Sequence, residues 1–564
     1  QSAPIYRANG NFRAVEVPAG RSVVRFKYSP DAVKFGLYVS FLSGMILALM
    51  AGYGVWRRYY RAPEGEGQVV ERVAKNTIAP IVLNLVNKMI DMAFAMLMLR
   101  ILGPEDAGQY YLAVVVIGWF DILINFGLNT LVTREVAKDR SMADRHLTNS
   151  IILRLGIWGF TLPVMAIFFL FRRFTKPLEG ATMWAIGLFL IGLLPSNISA
   201  SLTALFNAFE RMETPAAITT LTTLLKVCLG TVALFVGFGY VGLAAVSIVV
   251  NLITLGVLYA LLRRIYTPHW APDRPLQRQM LEDAWPLMVN LLLASLFFKV
   301  SVFLLEWLLP DPRALGWYST AYKYVDAVGV IPAYFTLAIF PLMARYAATD
   351  REALLRAYQL AIKLLTAAAV SLGFIFSLGA REWIGLLGGS QYLPQAANVL
   401  RVMIWYMPIG FINSVTQYVL IALNQQRFLT RAFAIGLGFN VLANVLLIPR
   451  LGYMAAAYVA IASELALLIP FYVGIRKHLA PIPWPRLVWK QWISALPMAL
   501  LAWVLPRRGL PIALLGGLIL FGVGLYALRL FDDPERQALR RAFPLGALPR
   551  RWKPRPIDAP PPKA

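Results

Sequence analysis

The sequence predicts an all-α polytopic membrane protein, and three observations carry that prediction. Hydrophobic residues make up 59% of the 564-residue chain, charged residues 15%, and the mean hydropathy is +0.61. Soluble domains average roughly 45–50% apolar and 25% charged. Apolar runs long enough for the ~20 residues that cross a 30 Å hydrocarbon core fall at 35–56, 76–99, 110–132, 150–171, 181–207, 216–237, 240–262, 284–307, 319–343, 357–379, 393–422, 430–449, 451–475, 490–505 and 510–530. Third, Lys and Arg collect in the short segments between these runs. In a soluble chain a formal charge of +25 would suggest a nucleic-acid partner. Here topology accounts for it, and no nucleic acid is expected.

The run at 76–99 is taken as span 1. Loops before odd-numbered spans carry about 23 Lys and Arg between residues 57 and 490, the alternate loops about 9. Cytoplasmic loops are the basic ones, so both ends of the fourteen-span unit are expected inside. Residues 1–34 are then outside, joined by the extra helix 35–56 and a cytoplasmic linker at 57–75. Alternation in 12–17 and 22–28, around Pro18 to Arg21, is the pattern of a β-hairpin. A lone hairpin is marginal in water, and the chain opens on Gln1, so a remnant of a larger upstream domain is expected. This stretch, running into span 35–56, resembles the carboxyl end of large bacterial membrane proteins of the GT-C glycosyltransferase-like type. At the other end, 531–564 holds eight Lys and Arg and a Pro-rich terminus, expected to be a disordered, lipid-facing basic tail.

The spans repeat. LGPEDAGQYYLA at 102–113 aligns with LPDPRALGWYSTA at 309–321, bringing Gly108 onto Gly316 and Tyr110 onto Tyr318 at an offset of 208. GYVGLAA at 239–245 matches GYMAAAY at 452–458 at an offset of 213. A repeat of six spans keeps its orientation, so the halves are expected as two parallel six-helix lobes about an axis along the membrane normal. The lobes are 76–262 and 284–475, joined by a cytoplasmic linker at 263–283 and followed by two C-terminal helices at 490–530.

RILGPEDAGQYY at 100–111 and FGLNTLVTREVAK at 126–138 resemble the amino-terminal lobe of bacterial polysaccharide flippases of the multidrug/oligosaccharidyl-lipid/polysaccharide exporter superfamily. NVLANVLLIPRLGYMAAA at 440–457, with Ser463 and Glu464 after it, is similar to that family's helices eleven and twelve. The resemblance, over about 70–530, implies export of an undecaprenyl-pyrophosphate-linked oligosaccharide across a bacterial plasma membrane for O-antigen or other lipopolysaccharide. A polysaccharide polymerase or glycosyltransferases would then be partners, beside the membrane lipids. It also implies that spans 1, 2, 7 and 8 surround a central cavity.

Ionisable residues inside spans are costly and are the first candidates for function. Asn84, Lys88 and Asp91 share one face of span 1, and Asp121, Asn125 and Asn129 one face of span 2. Ser295, Lys299 and Glu306 align on span 7, and Lys323 stands a turn from Asp326 on span 8. The substrate-binding candidates are Lys88, Asp91, Asp121, Asn125, Lys299, Glu306, Lys323 and Asp326. With Arg154, Lys226, Lys363, Arg401 and Glu464 the intramembrane groups number seven cations and five anions. Such an excess suits a pyrophosphate, whose oxygens take charge-assisted hydrogen bonds from Lys and Arg. Tyr322, Tyr324 and Trp405 are expected to stack on or bond to sugars. Against this stands a structural reading in which Lys88–Asp91 and Lys323–Asp326 are ion pairs, Lys226, Lys363 and Arg401 snorkel, and Asn440 and Asn444 bond across helices.

Prolines in the spans, Pro80 and Pro286 at equivalent places among them, permit bends. One cysteine, Cys228, and three histidines, His146, His269 and His478, offer no disulfide or ligand spacing, and no metal or cofactor is expected. No phosphate-binding glycine loop occurs, nor an external loop large enough for glycosyl transfer, so no enzyme is expected. A multidrug/cation antiporter or a lipid II flippase of the same fold, and a membrane glycosyltransferase, are the alternatives.

Overall fold

The structure, a computed structural model, describes residues 6–8, 12–16, 69–504, 510–533 and 535. The chain divides at 65 into two units. Of the first, the described part is a small hairpin in which β1 (Tyr6–Ala8) pairs antiparallel with β2 (Phe12–Ala14), Ala8 opposite Phe12. Asn9, Gly10 and Asn11, residues of turn-forming type, separate the strands. A strand at 12–14 is present as expected and has a partner in 6–8 that the sequence reading did not include, while 22–28, the partner expected for it, lies outside the described residues. So do the extra helix 35–56, most of the linker, and the tail beyond 535.

The second unit is helical throughout its described residues. Helix α1 runs Val69–Asn125, 57 residues, or about 85 Å at 1.5 Å per residue. It therefore holds spans 1 and 2, broken at Gly103, whose φ of 76° and ψ of 177° lie in a region open essentially to glycine alone. The loop expected between these spans is this kink. Helix α2 (Leu128–Lys138) follows, then α3 (Ala143–Phe174), α4 (Gly180–Ala208), α5 (Glu213–Val236) and α6 (Gly239–Leu262). The α5–α6 joint is as tight as the sequence suggests, Gly237 and Gly239 both at positive φ.

The second lobe comprises α7 (Arg274–Leu308), α8 (Arg313–Val328), α9 (Val330–Thr349), α10 (Arg351–Leu378), α11 (Ala380–Leu387), α12 (Gln395–Met403), α13 (Met407–Ala422), α14 (Gln426–Leu451) and α15 (Met454–His478). Span 8 is thus two helices broken at Gly329, and span 10 is α12 and α13 joined by a 3-10 turn at Ile404–Tyr406. Helices α16 (Trp484–Val504) and α17 (Leu510–Ala527) form a hairpin packed on α10 through Val370, Ala495, Met498 and Phe521. Eleven continuous helical stretches are long and apolar enough to cross a membrane among the described residues. The first is long enough for two crossings, and with α16 and α17 every span expected from 76 onward has its helix.

The linker at 263–283 needs correction. Asp273 caps α7 by accepting from the Leu276 amide (3.2 Å) and pairs with Arg145, while Asn149 holds the backbone of Ala271 and Asp273. Leu276, Met280 and Ala284 then bury themselves against Leu128, Leu202 and Leu205 of the first lobe. Helix α7 therefore starts ten residues before the apolar run and leaves from the first lobe, because its first turns are amphipathic. Farther on it joins the second lobe, where Phe297 meets Phe433 and Asn444 donates to the Ser301 hydroxyl (3.1 Å). That bond bears out the cross-helix reading of Asn444, and Asn440 likewise donates to the Phe297 carbonyl at 3.3 Å.

Candidate functional site: a charged cavity below a closed seam

Four helices bring lysines and aspartates together at one depth. Lys88 and Asp91 come from α1, Lys226 from α5, Lys299 from α7, Lys323 and Asp326 from α8. Counting from Gly103 and from the ends of α5, α7 and the start of α8, all six lie about 14–23 Å along their helices at 1.5 Å per residue, near the middle of a 30 Å core. They remain open to solvent: side-chain exposures are 41% for Asp91, 47% for Lys226, 25% for Lys299 and 48% for Asp326. Charge at this depth is tolerable only where it lines a wet cavity or is paired, and both conditions occur here.

The pairing is not the one the sequence suggests. Asp91 pairs with Lys226 at 3.6 Å rather than with Lys88, because α5 packs along α1 and brings Lys226 to it. Asp326 pairs with Lys299 at 3.2 Å rather than with Lys323. Lys299 also donates to the Tyr111 hydroxyl (3.0 Å) and lies over the Tyr322 ring at 4.0 Å. Lys88 and Lys323 are left without a carboxylate within salt-bridge distance among the described residues, yet both belong electrostatically to the cluster, Lys88 acting on Lys299 and Lys323 feeling Asp326 foremost among the charges, then Lys226, Lys299 and Asp91. Four lysines face two aspartates, so the cavity is net cationic by two charges. Tyr111, which the sequence reading did not single out, is part of it. Its signal was its place four residues after Ala107 on the face that carries Gly108 of the repeat.

The other expected members lie elsewhere. Asp121 accepts from the Asn197 amide (2.7 Å). Arg154, fully buried, donates to Asn197 and to Asn129 Oδ1 at 2.9 and 2.6 Å. This is a network inside the first lobe, on the side of span 2 turned to α3 and α4. Asn125 makes no side-chain hydrogen bond among the described residues and joins neither group. Glu464 is buried in the second lobe, taking the Asn413 amide at 2.7 Å. Lys363 does not snorkel but holds Glu535 at 2.8 Å. Trp405 stacks on Trp492 with ring centres 5.6 Å apart, and Tyr324 bonds the Trp383 carbonyl, so of the three aromatic candidates Tyr322 alone is at the cavity. His146, expected to be solvated, is buried in α3 with Nδ1 against the Met142 carbonyl, 3.1 Å.

Glu306 corrects most sharply. It lies two residues from the end of α7, beyond the cavity, and takes both Arg172 contacts at 2.9 and 2.7 Å, the two side chains 7% and 1% exposed. Lys176 stands 3.6 Å from the same carboxylate and donates to the carbonyls of Glu306 and Leu309. Arg172 was read as a loop residue; the available signal was that it and Glu306 each end a span on the same, weakly basic side. Across from them, Gln391 donates to the carbonyls of Leu99 and Arg100 (3.1 and 3.3 Å) and Tyr392 to Leu99 (3.1 Å). Between these two sets the repeat-equivalent glycines touch. A Cβ on Gly108 would stand 2.8 Å from the Gly316 nitrogen, and one on Gly316 1.7 Å from the Pro104 carbonyl oxygen. The lobes are closed on each other along this seam.

Comparison with known proteins agrees with this architecture. A family model described as Polysaccharide biosynthesis protein matches residues 73–347, and the MatE model matches 286–446. No curated protein matches the sequence. Among solved structures, the chain is similar to the lipid II flippase MurJ in an inward closed conformation, with 12% identity and a TM-score of 0.66 over 82% of this chain and all of that one. A multidrug resistance MATE family transporter in its inward-facing conformation gives 17% and 0.57, over 69% of this chain and 94% of that one. A transporter from Pyrococcus furiosus, described as having a binding pocket of reverse polarity, gives 16% and 0.52 over 73% and 98%. The structural likenesses are of fold, and the two sequence models, running together from 73 to 446, show that the chain belongs to the multidrug/oligosaccharidyl-lipid/polysaccharide exporter superfamily of membrane transporters and flippases.

Proposed function

We propose that this transporter moves an undecaprenyl-pyrophosphate-linked oligosaccharide from the cytoplasmic to the outer leaflet of a bacterial plasma membrane, by alternating access, for surface polysaccharide synthesis. The observation that carries this reading is the pair of cations without a salt-bridge partner among the described residues, Lys88 and Lys323, in a net-positive cluster at mid-depth. A pyrophosphate brings two or more negative charges and acceptor oxygens to such groups, and Lys226 and Lys299, held by Asp91 and Asp326, add to the field. A cationic drug would meet repulsion there. The Polysaccharide biosynthesis model over 73–347 supports the sugar-lipid class. With the seam closed at the weakly basic end, solvent and substrate reach the cavity from the basic, cytoplasmic half or laterally between the lobes.

The likeness to a lipid II flippase favours one second reading, since lipid II offers the same pyrophosphate. Complementation separates the two. Surface polysaccharide restored in a strain lacking its O-antigen flippase, without rescue of a strain depleted of its lipid II flippase, is the expected result. Lys88→Ala and Lys323→Ala together are expected to abolish that restoration at normal membrane levels. Full restoration by the double variant would overturn the cationic-cavity mechanism, and rescue of the lipid II strain alone would replace the substrate.

A further inference from the structure

We infer that the Arg172–Glu306 pair is the latch of an extracytoplasmic gate that opens about the Gly108–Gly316 contact. Residues related by an internal repeat that touch each other lie on the repeat's axis, and Gly108 and Gly316 are such a pair, too close for a Cβ on either. The offset of 208 maps the end of span 1 onto the end of span 7, so the two flanking seams are counterparts. Each ties one of those ends, Leu99 and Arg100 or Glu306 and Leu309, to the segment after span 9 or span 3 of the other lobe.

The counterparts differ in chemistry. One seam is made of donors on carbonyls, Gln391 and Tyr392 and the exposed Arg100 guanidinium on the Leu386 carbonyl (2.7 Å). It holds no carboxylate bonded to these donors among the described residues, and water replaces such bonds at little net change. The other buries a guanidinium and a carboxylate against each other, with the Arg172 guanidinium 5.7 Å from the Phe303 ring centre and its Nε and Nη1 unpartnered. Parting that pair requires both charges to be solvated, since either one left buried and alone is strongly unfavourable. A cavity of about 280 Å³ beside Glu306, lined also by Glu105, Gln109, Lys176, Glu179 and Asp311, gives the separated groups a polar place to go. The buried ion-pair seam therefore sets the threshold for outward opening, while the carbonyl-bonded seam and the glycine contact follow. This rests on the transporter reading and not on the identity of the lipid.

The test reads accessibility, not transport. In a Cys228→Ser background, Leu112→Cys places a reporter one turn below Gly108, where Leu112 is 1% exposed. A membrane-impermeant maleimide is added to intact cells and, separately, to inside-out vesicles. Glu306→Gln is expected to raise labelling from outside by roughly tenfold or more, the population shift that loss of a buried counter-ion produces. The exchange Arg172→Glu with Glu306→Arg is expected to bring it back toward the parent. If Glu306→Gln does not accumulate, Arg172→Lys, which keeps the charge on a shorter, differently shaped side chain, is expected to give a smaller rise. Unchanged labelling in a folded variant would overturn the latch, and a rise from the vesicle side alone would overturn its extracytoplasmic placement.

Discussion

The seam and the cavity are built largely from the same helices, α1, α7 and α8, yet they treat charge in opposite ways. In the seam, Arg172 and Glu306 are buried and spent on each other. In the cavity, about two helical turns deeper along α7, two lysines pair with two aspartates that stay open to solvent, and two more lysines stand without a carboxylate within salt-bridge distance among the described residues. Which face of the helix a charge occupies, as well as its depth, separates a structural charge from one available to a ligand. Arg172 and Glu306, near helix ends, meet across the lobes. Arg154 and Glu464, at mid-helix, are buried within one lobe, and the mid-helix lysines and aspartates of the candidate site stay open to solvent.

Variants of the seam are expected to have the largest effects on the fold and those of the cavity the largest specific effect on transport. Gly316→Val forces a side chain into the Pro104 carbonyl; overpacking of this kind costs about 1–3 kcal/mol or more. Transport is expected to fall below detection, with a lowered melting temperature in detergent. Arg172→Ala leaves the buried Glu306 carboxylate only the Lys176 ammonium, 3.6 Å away and 34% exposed; breaking a buried pair outright costs about 3–5 kcal/mol, so a loss toward the lower end of that range is expected. Thermal unfolding of the purified protein checks it, and a melting temperature equal to the parent's would show that the pair is not sealed from water. Lys323→Ala removes no ion pair, so its melting temperature should stay near that of the parent. Its loss of charge-assisted bonds, each about 1.5–3 kcal/mol, is expected to weaken substrate binding by about ten- to a hundredfold. The smallest effect belongs to Gly103→Ala. No atom crowds the position within 3.8 Å, so the cost is backbone strain of about 1–3 kcal/mol, expected as a modest drop in melting temperature with transport retained.

The fold was legible because membrane spans announce themselves by length and hydropathy, and the repeat by its matched turns. The alignment of Gly108 with Gly316 even marked the axis, although nothing in one sequence says that two equivalent residues touch. Five of the eight cavity candidates, Lys88, Asp91, Lys299, Lys323 and Asp326, were found because mid-span charge is costly wherever it occurs. Their partners were not, since i, i+3 spacing favours a neighbour on the same helix while packing put Lys226 of α5 against Asp91. Asp121 and Asn125 share a stripe with Asn129, but which face of a helix turns to its own lobe is set by tertiary packing. Glu306 was misplaced for a different reason: its spacing from Lys299 was read and its distance from the helix end was not.

If the cavity lysines bind the anionic headgroup and the seam charges do not, binding of undecaprenyl pyrophosphate to the purified protein in lipid nanodiscs separates Lys323→Ala from Glu306→Gln. The dissociation constant is expected to rise about tenfold or more in Lys323→Ala and to stay close to the parent's in Glu306→Gln. Equal losses in both, or unchanged affinity in Lys323→Ala, would contradict that division of roles.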